Sequence, residues 1–71
     1  MDRAMLLEHW VIAERHVLQG ECHVARQREI IAELEREGHD AAASIKLLQQ
    51  FQEMQALHIA DRDRLRKELG L

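Results

Sequence analysis

The sequence predicts an all-α protein: an antiparallel two-helix hairpin, with one helix over about residues 3–37 and the other over about 41–69. Three observations lead to this fold. The 71-residue chain has no proline and only three glycines, and it is rich in strong helix formers such as Ala, Leu, Glu, Arg and Gln. A heptad pattern runs through its first half, and helix-stop and helix-start residues stand together near its middle. Its length predicts a single domain, residues 1–71.

The first helix is predicted from a row of residues that step by three and four along the chain. The row comprises Leu6, Trp10, Ala13, Val17, Gly20, Val24, Gln27, Ile31 and Leu34. This spacing places all of them on one face of a helix, where they pack against a partner helix. Gly20 and Gln27 are the two weak positions of the row, and Asp2 suits the N-cap. A rise of about 1.5 Å per residue makes this helix roughly 50 Å long.

The segment EREGHDAAA, residues 35–43, predicts a tight turn followed by the second helix. Gly38 suits the left-handed residue that closes a helix, and Asp40 suits the cap of the next one. If Glu37 and Ala41 face each other, contacting residues across the hairpin have numbers that sum to about 78. The inner stripe of the second helix is expected to contain Leu47, Leu48, Phe51, Met54, His58 and Leu65, with His58 opposite Gly20.

A second apolar line on the first helix predicts self-association. Its members, spaced by seven, are Val11, Leu18, Ala25 and Ala32. The line lies about 100° around the helix from one edge of the main row, so one partner helix cannot cover both. A core this small contributes little beyond the conformational entropy lost on folding. We therefore expect a homodimer that forms a four-helix bundle, with the direction of the two hairpins, parallel or antiparallel, left open.

Composition and charge narrow the classes of function. The net charge of -3 argues against a general nucleic-acid binder, and no apolar run approaches the ~20 residues of a membrane span. The single Cys22 and an N-terminus without a secretory signal predict a cytoplasmic protein. Because neither a phosphate loop nor a serine elbow is present, we expect no enzymatic activity and no cofactor. The prediction is an interaction or regulatory module whose partner is a second copy or another helical protein.

A cross-helix metal site is an alternative function. His9, His16 and His23 recur every seven residues along one edge of the main row. Residues seven apart are ~10 Å apart along the helix axis, so no two of these can share a zinc ion, whose ligands lie about 2.0–2.3 Å away. A site would therefore join His16 and His23 to His58 of the second helix, with Asp61 as a further or orienting carboxylate. The competing interpretation is close packing of these side chains.

The stretch HVLQG, residues 16–20, resembles the phosphoryl-accepting motif His-x-Leu-Lys-Gly of histidine phosphotransfer domains, which are helical bundles. His16, Leu18 and Gly20 match that motif. The resemblance implies that His16 accepts a phosphoryl group and that Gly20 leaves room for a docked response regulator. Gln19 stands where the family has lysine and Glu21 where it has a small residue, which removes a positive charge and adds a negative one.

Most of the chain resembles a group of short bacterial helical-hairpin proteins. The resemblance lies in ERHVLQGECHVARQREIIAELEREGHDAA, residues 14–42, and in LHIADRDRLRKEL, residues 57–69. It implies a bacterial, cytoplasmic protein with the hairpin fold, and it implies no particular activity.

Overall fold

A computed structural model shows two long helices that pack against each other as an antiparallel hairpin. The structure describes residues 2–71, so Met1 of the predicted domain lies outside the described residues. Helix α1 spans Arg3–Arg36 and helix α2 spans Ala42–Leu69, and residues 2–71 contain no strand. The hairpin measures 53 × 15 × 14 Å. The predicted all-α hairpin is confirmed, with helix ends within one residue of those expected.

Both ends of α1 follow from local capping groups. The side-chain oxygen Oδ1 of Asp2 accepts a hydrogen bond from the N–H of Met5 at 2.8 Å, which satisfies one of the free donors of the first turn. At the other end, Gly38 adopts a left-handed φ of 74°, and the N–H of His39 donates to the carbonyl oxygen of Leu34 at 2.9 Å. This is a Schellman ending, in which glycine is preferred because it has no Cβ.

Helix α2 begins with a weaker cap than α1. Oδ1 of Asp40 accepts a hydrogen bond from the N–H of Ala42 at 2.9 Å, whereas the N-cap residue itself, Ala41, has no side-chain cap. Asp40 therefore satisfies a donor at the start of α2 from the position before the N-cap. At its C-terminal end, α2 is closed by Gly70 in the left-handed conformation, with φ 74°.

The interface between the helices consists of two heptad rows. Every residue of the predicted α1 row is buried or half-buried, and Val17 at its centre is only 2% exposed. The facing row of α2 has the same spacing and comprises Ala41, Ser44, Leu48, Phe51, Gln55, His58, Arg62, Leu65 and Leu69. Two rows of this spacing meet along one seam when helices pack side by side.

Met54, which we expected in the interior, is 53% exposed, and Gln55 takes the inner position instead. The amide of Gln55 lies where a Cβ at residue 20 would stand, so it fills the space beside Gly20. Hydrophobicity favours Met54 for the interior, but the heptad position and the missing side chain of Gly20 favour Gln55. Leu47 is also exposed, because the inner heptad position belongs to Leu48, the next residue along the chain.

Two glutamines join the helices by hydrogen bonds to backbone carbonyl groups. Nε2 of Gln27, a residue only 6% exposed, donates to the carbonyl oxygen of Ser44 at 2.9 Å. Nε2 of Gln55 donates to the carbonyl oxygen of Val17 at 2.8 Å. Each bond has a defined geometry, so the two together specify how far α2 is shifted along α1.

The register of the two helices differs from the one expected. Three side-chain contacts near the middle of the hairpin are His16 with His58, His23 with Phe51, and Gly20 with Gln55. Their numbers sum to 74 or 75 rather than about 78, so His58 lies beside His16 instead of opposite Gly20. The difference arises in the connection, residues 37–41, which folds back along α1 and already buries Ala41.

Candidate functional site

The two exposed sides of the hairpin differ in chemistry. One, which we call the histidine side, carries His9, His16, His23, Met54, His58 and Asp61. The other, which we call the apolar side, carries Val11, Leu18, Ala25 and Ala32 of α1 with Ile45, Ala56 and Ile59 of α2. The residues predicted for chemistry therefore lie on the histidine side, and those predicted for self-association lie on the apolar side.

A cleft of about 130 Å³ opens between the helices on the histidine side. The rings of His16 and His58 lie across it, with centroids 5.0 Å apart and planes inclined by 50°. Further along the hairpin, the ring of His23 lies 5.9 Å from that of Phe51. Tilted ring contacts at these distances are an ordinary packing arrangement of aromatic groups. The structure thus brings His16 and His58 together and places His23 nearer the turn.

The four predicted metal ligands are only partly assembled. His16 and His58 are neighbours, but His23 packs at another level, and the carboxylate of Asp61 accepts a hydrogen bond from Nη2 of Arg64 at 2.7 Å. That hydrogen bond is the largest of the effects that raise the pKa of Arg64 above its ordinary value. Among residues 2–71, no group of three or more His, Cys, Asp and Glu side chains is arranged to hold a metal ion.

The residues that resemble the phosphotransfer motif point to different sides of α1. His16 is exposed on the histidine side and Leu18 is exposed on the apolar side, whereas Gly20 lies inside the hairpin against Gln55. The space beside Gly20 is therefore filled by the chain's own amide, where the resemblance implied room for a docked protein. Phosphoryl transfer through His16 stays a prediction.

The apolar side contains a groove of about 450 Å³ between the helices. Ala25 and Ala56 contribute small side chains to its walls, and the charged Glu21 and Arg28 of α1 also line it. Of the larger apolar side chains of this side, Ile59 lines the groove, whereas the others lie farther along the helices and are exposed, among them Val11 at 49% and Leu18 at 59%, with Leu7 and Ile45. The hairpin leaves 37–59% of each of these side chains exposed.

Sequence reasoning identified the second apolar line of α1 but missed the polar residues beside it. Glu21 and Arg28 stand four residues before and three residues after Ala25, a spacing that places all three on one side of a helix. Ala56 was missed because the prediction for α2 considered only large apolar residues, whereas small side chains form the walls of a groove. Because residues three and four positions from Ala25 share its side of the helix, the sequence alone could have identified Glu21 and Arg28 as its neighbours.

No protein-family model matches the chain, and comparison with curated proteins and with solved structures gives no match. Over residues 2–71, neither helix is apolar along a length sufficient to cross a membrane. The fold and its exposed surface define an all-α hairpin with large apolar side chains exposed on both sides, Val11 and Leu18 on the apolar side and Met54 and Leu57 on the histidine side. The function of this chain is therefore inferred from the chemistry of its two exposed sides.

Proposed function

We propose that this chain is a non-enzymatic helical interaction module that works as a homodimer, in which two hairpins pack through their apolar sides into a four-helix bundle. The observation that supports it most directly is the exposure of large apolar residues on the apolar side, with Leu18 at 59%. Large exposed apolar side chains beside a groove on a small protein are typical of an interaction site.

The small interior of one hairpin gives a physical reason for association. Its buried apolar residues are Ala13, Val17, Ile31, Ala41, Leu65 and Leu69. Burying a large aliphatic side chain contributes about 1.5–3 kcal/mol, whereas ordering the backbone of each residue costs about 1–2 kcal/mol. A second copy buries further apolar surface on residues that are already ordered, so association supports folding.

The apolar side suits a helical partner better than the histidine side does. The small side chains of Ala25 and Ala56 leave a hollow at the centre of the apolar side, and larger side chains such as Leu18 protrude next to it. Large and small residues that alternate in this way interdigitate between packed helices. The histidine side also exposes Met54 and Leu57, but its charges Asp61 and Arg64 already pair within the chain, so they lose hydration on burial without gaining a new partner.

Sedimentation equilibrium at pH 8 tests the homodimer with a pair of matched variants. Leu18→Glu places a carboxylate on the apolar side. The control, Leu57→Glu, changes a leucine that is 66% exposed and lies on the histidine side, three residues after Met54. We expect a two-chain mass for the unsubstituted protein and for Leu57→Glu, and a one-chain mass for Leu18→Glu because a charge is costly to bury. A one-chain mass for the unsubstituted protein would contradict the proposal.

A further inference from the structure

We infer that the second copy docks antiparallel, with the twofold axis beside Ala25 and Gln49 and with Glu21 of each copy paired to the partner's Arg28. The inference rests on the proposed homodimer and adds to it the direction of the two hairpins and the contacts that select it. It is carried by the symmetry of the apolar side, by its unpaired charges and by the length of the overlap.

The residues of α1 on the apolar side are arranged almost symmetrically about Ala25. Glu21 precedes it by four residues and Arg28 follows it by three, while Leu18 and Ala32 each lie seven residues away. A rise of about 1.5 Å per residue puts the charged pair roughly 5–6 Å and the outer pair roughly 10 Å from the level of Ala25. A twofold axis that crosses α1 at Ala25 then sets Glu21 opposite the partner's Arg28, and Leu18 opposite the partner's Ala32.

The two charges at the groove are available for such pairing. Over residues 2–71, neither Glu21 nor Arg28 forms an ion pair within the chain, whereas Arg26 and Glu29 next to Arg28 pair with each other. Arg26 lies 3.2 Å from Glu29. Opposite charges at symmetric positions complement each other when a surface meets its own copy antiparallel.

A parallel dimer loses this complementarity. There, α1 would pack on α2 of the partner, and the register of the hairpin would set Arg28 at the level of the partner's Lys46. Glu21 would stand at the level of the partner's Glu53. Charge therefore favours the antiparallel arrangement, in which α1 packs on α1 and α2 packs on α2.

Helix α2 shows the same symmetry at the same level. The paired side chains across the middle of the hairpin have numbers that sum to 74 or 75, and the two glutamine hydrogen bonds join residues whose numbers sum to 71 and 72. Gln49 therefore lies within about one turn of the level of Ala25. Ala42 and Ala56 stand seven residues on either side of Gln49. The axis that pairs α1 with itself therefore also packs Ala42 on the partner's Ala56, and it brings together two Gln49 amides, each of which can both donate and accept.

The overlap of the two hairpins is long enough for a stable dimer. Val11 and His39 each lie 14 residues from Ala25, so a twofold axis at Ala25 sets Val11 beside the turn of the partner. The two copies then overlap over about 40 Å of their 53 Å length. With a width of 15 Å, the contact covers about 600 Å² on each copy and about 1,200 Å² in total, the size at which specific interfaces begin.

Charge reversal, measured by sedimentation equilibrium on the full chain, tests the Glu21–Arg28 pairing. Glu21→Arg alone, or Arg28→Glu alone, sets like charges opposite each other twice in every dimer, and we expect each to raise the dimer Kd by about tenfold or more. The double variant restores opposite charges and should return the Kd to within about threefold of the original. Arg26→Glu, a reversal away from the apolar side, should leave the Kd unchanged.

These measurements separate the pairing from the homodimer itself. A one-chain mass for the unsubstituted protein overturns the proposed function. A dimer whose Kd responds to neither single reversal overturns the antiparallel pairing and leaves the homodimer standing.

Chemical cross-linking gives an independent test of the axis. In a Cys22→Ser background, which removes the exposed native thiol, Ala25→Cys places the two new thiols beside the axis. The matched control Ala32→Cys places them about 21 Å apart along the helices. We expect a short bis-thiol reagent to give covalent dimers with Ala25→Cys and not with Ala32→Cys. Equal cross-linking of the two variants, or none with Ala25→Cys, overturns the proposed axis.

Discussion

Gly20 and Gln55 depend on each other across the hairpin. The amide of Gln55 occupies the space where a Cβ of residue 20 would stand, and it donates to the carbonyl oxygen of Val17 at 2.8 Å. Glycine in the interior of a helix costs about 1 kcal/mol relative to alanine. The contact with Gln55 explains why a glycine at this position is compatible with a stable α1.

We expect Gly20→Ala to stabilise the protein only when Gln55 is also shortened. In the unsubstituted protein, the gain in helix propensity of about 1 kcal/mol is cancelled because the amide is displaced from Val17, a loss of about 0.5–1.5 kcal/mol. In a Gln55→Ala background, Gly20→Ala should raise the free energy of unfolding by about 1 kcal/mol. Urea denaturation of the four proteins measures the coupling, and equal stabilisation in both backgrounds would contradict it.

At the scale of the elements, the turn depends on one left-handed residue. Gly38 has a φ of 74° and open space where a Cβ would stand, so a substitution there causes backbone strain without a clash. We expect Gly38→Ala to lower the free energy of unfolding by about 1–2 kcal/mol, and Gly38→Asn to lower it by less, because asparagine tolerates this conformation. Urea denaturation followed by helix ellipticity measures both.

Gly70→Ala is the matched control for the turn, because Gly70 has the same φ of 74° and also has open space around it. Gly70 follows α2 and does not reverse the chain between the two packed helices, so strain there leaves the contact of α1 with α2 in place, and its loss should be smaller than that of Gly38→Ala. If both substitutions lowered the free energy of unfolding equally, the turn between the helices would not depend on Gly38 more than the end of α2 depends on Gly70.

The elements also show how far sequence reasoning reaches. The inner row of α1 was predicted completely because its three-and-four spacing has no slip over 29 residues, from Leu6 to Leu34. The inner row of α2 was predicted only in part because two of the positions that were missed carry long polar side chains. Gln55 is one, and Arg62 is the other, with Nε 3.7 Å from Oε1 of Glu14. A long polar side chain packs its aliphatic stem against a neighbouring helix, which hydrophobicity alone does not reveal.

The candidate site was predicted less well than the helices, for a reason that lies in the connection. Periodicity shows which residues share a face, but the shift of one helix along the other depends on how residues 37–41 fold back. The expected pairing across the hairpin had residue numbers that sum to about 78, whereas the observed side-chain contacts sum to 74 or 75. This difference of about four residues placed His58 opposite Gly20 in the prediction, although it lies beside His16, and the predicted set of metal ligands was affected in the same way. The apolar side was identified without this knowledge because Val11 and Leu18 belong to one helix.

At the scale of the whole molecule, association and folding are expected to be one linked equilibrium. A dimer that is favoured by mass action unfolds at a higher temperature when the protein is more concentrated. For a pair of 71-residue chains, a hundredfold increase in concentration should raise the midpoint of thermal unfolding by roughly 5–10 °C. Leu57→Glu should show the same rise, whereas Leu18→Glu should unfold at one midpoint at every concentration. Thermal scans of helix ellipticity at two concentrations measure this, and a midpoint of the unsubstituted protein that does not move would mean that the hairpin is stable by itself.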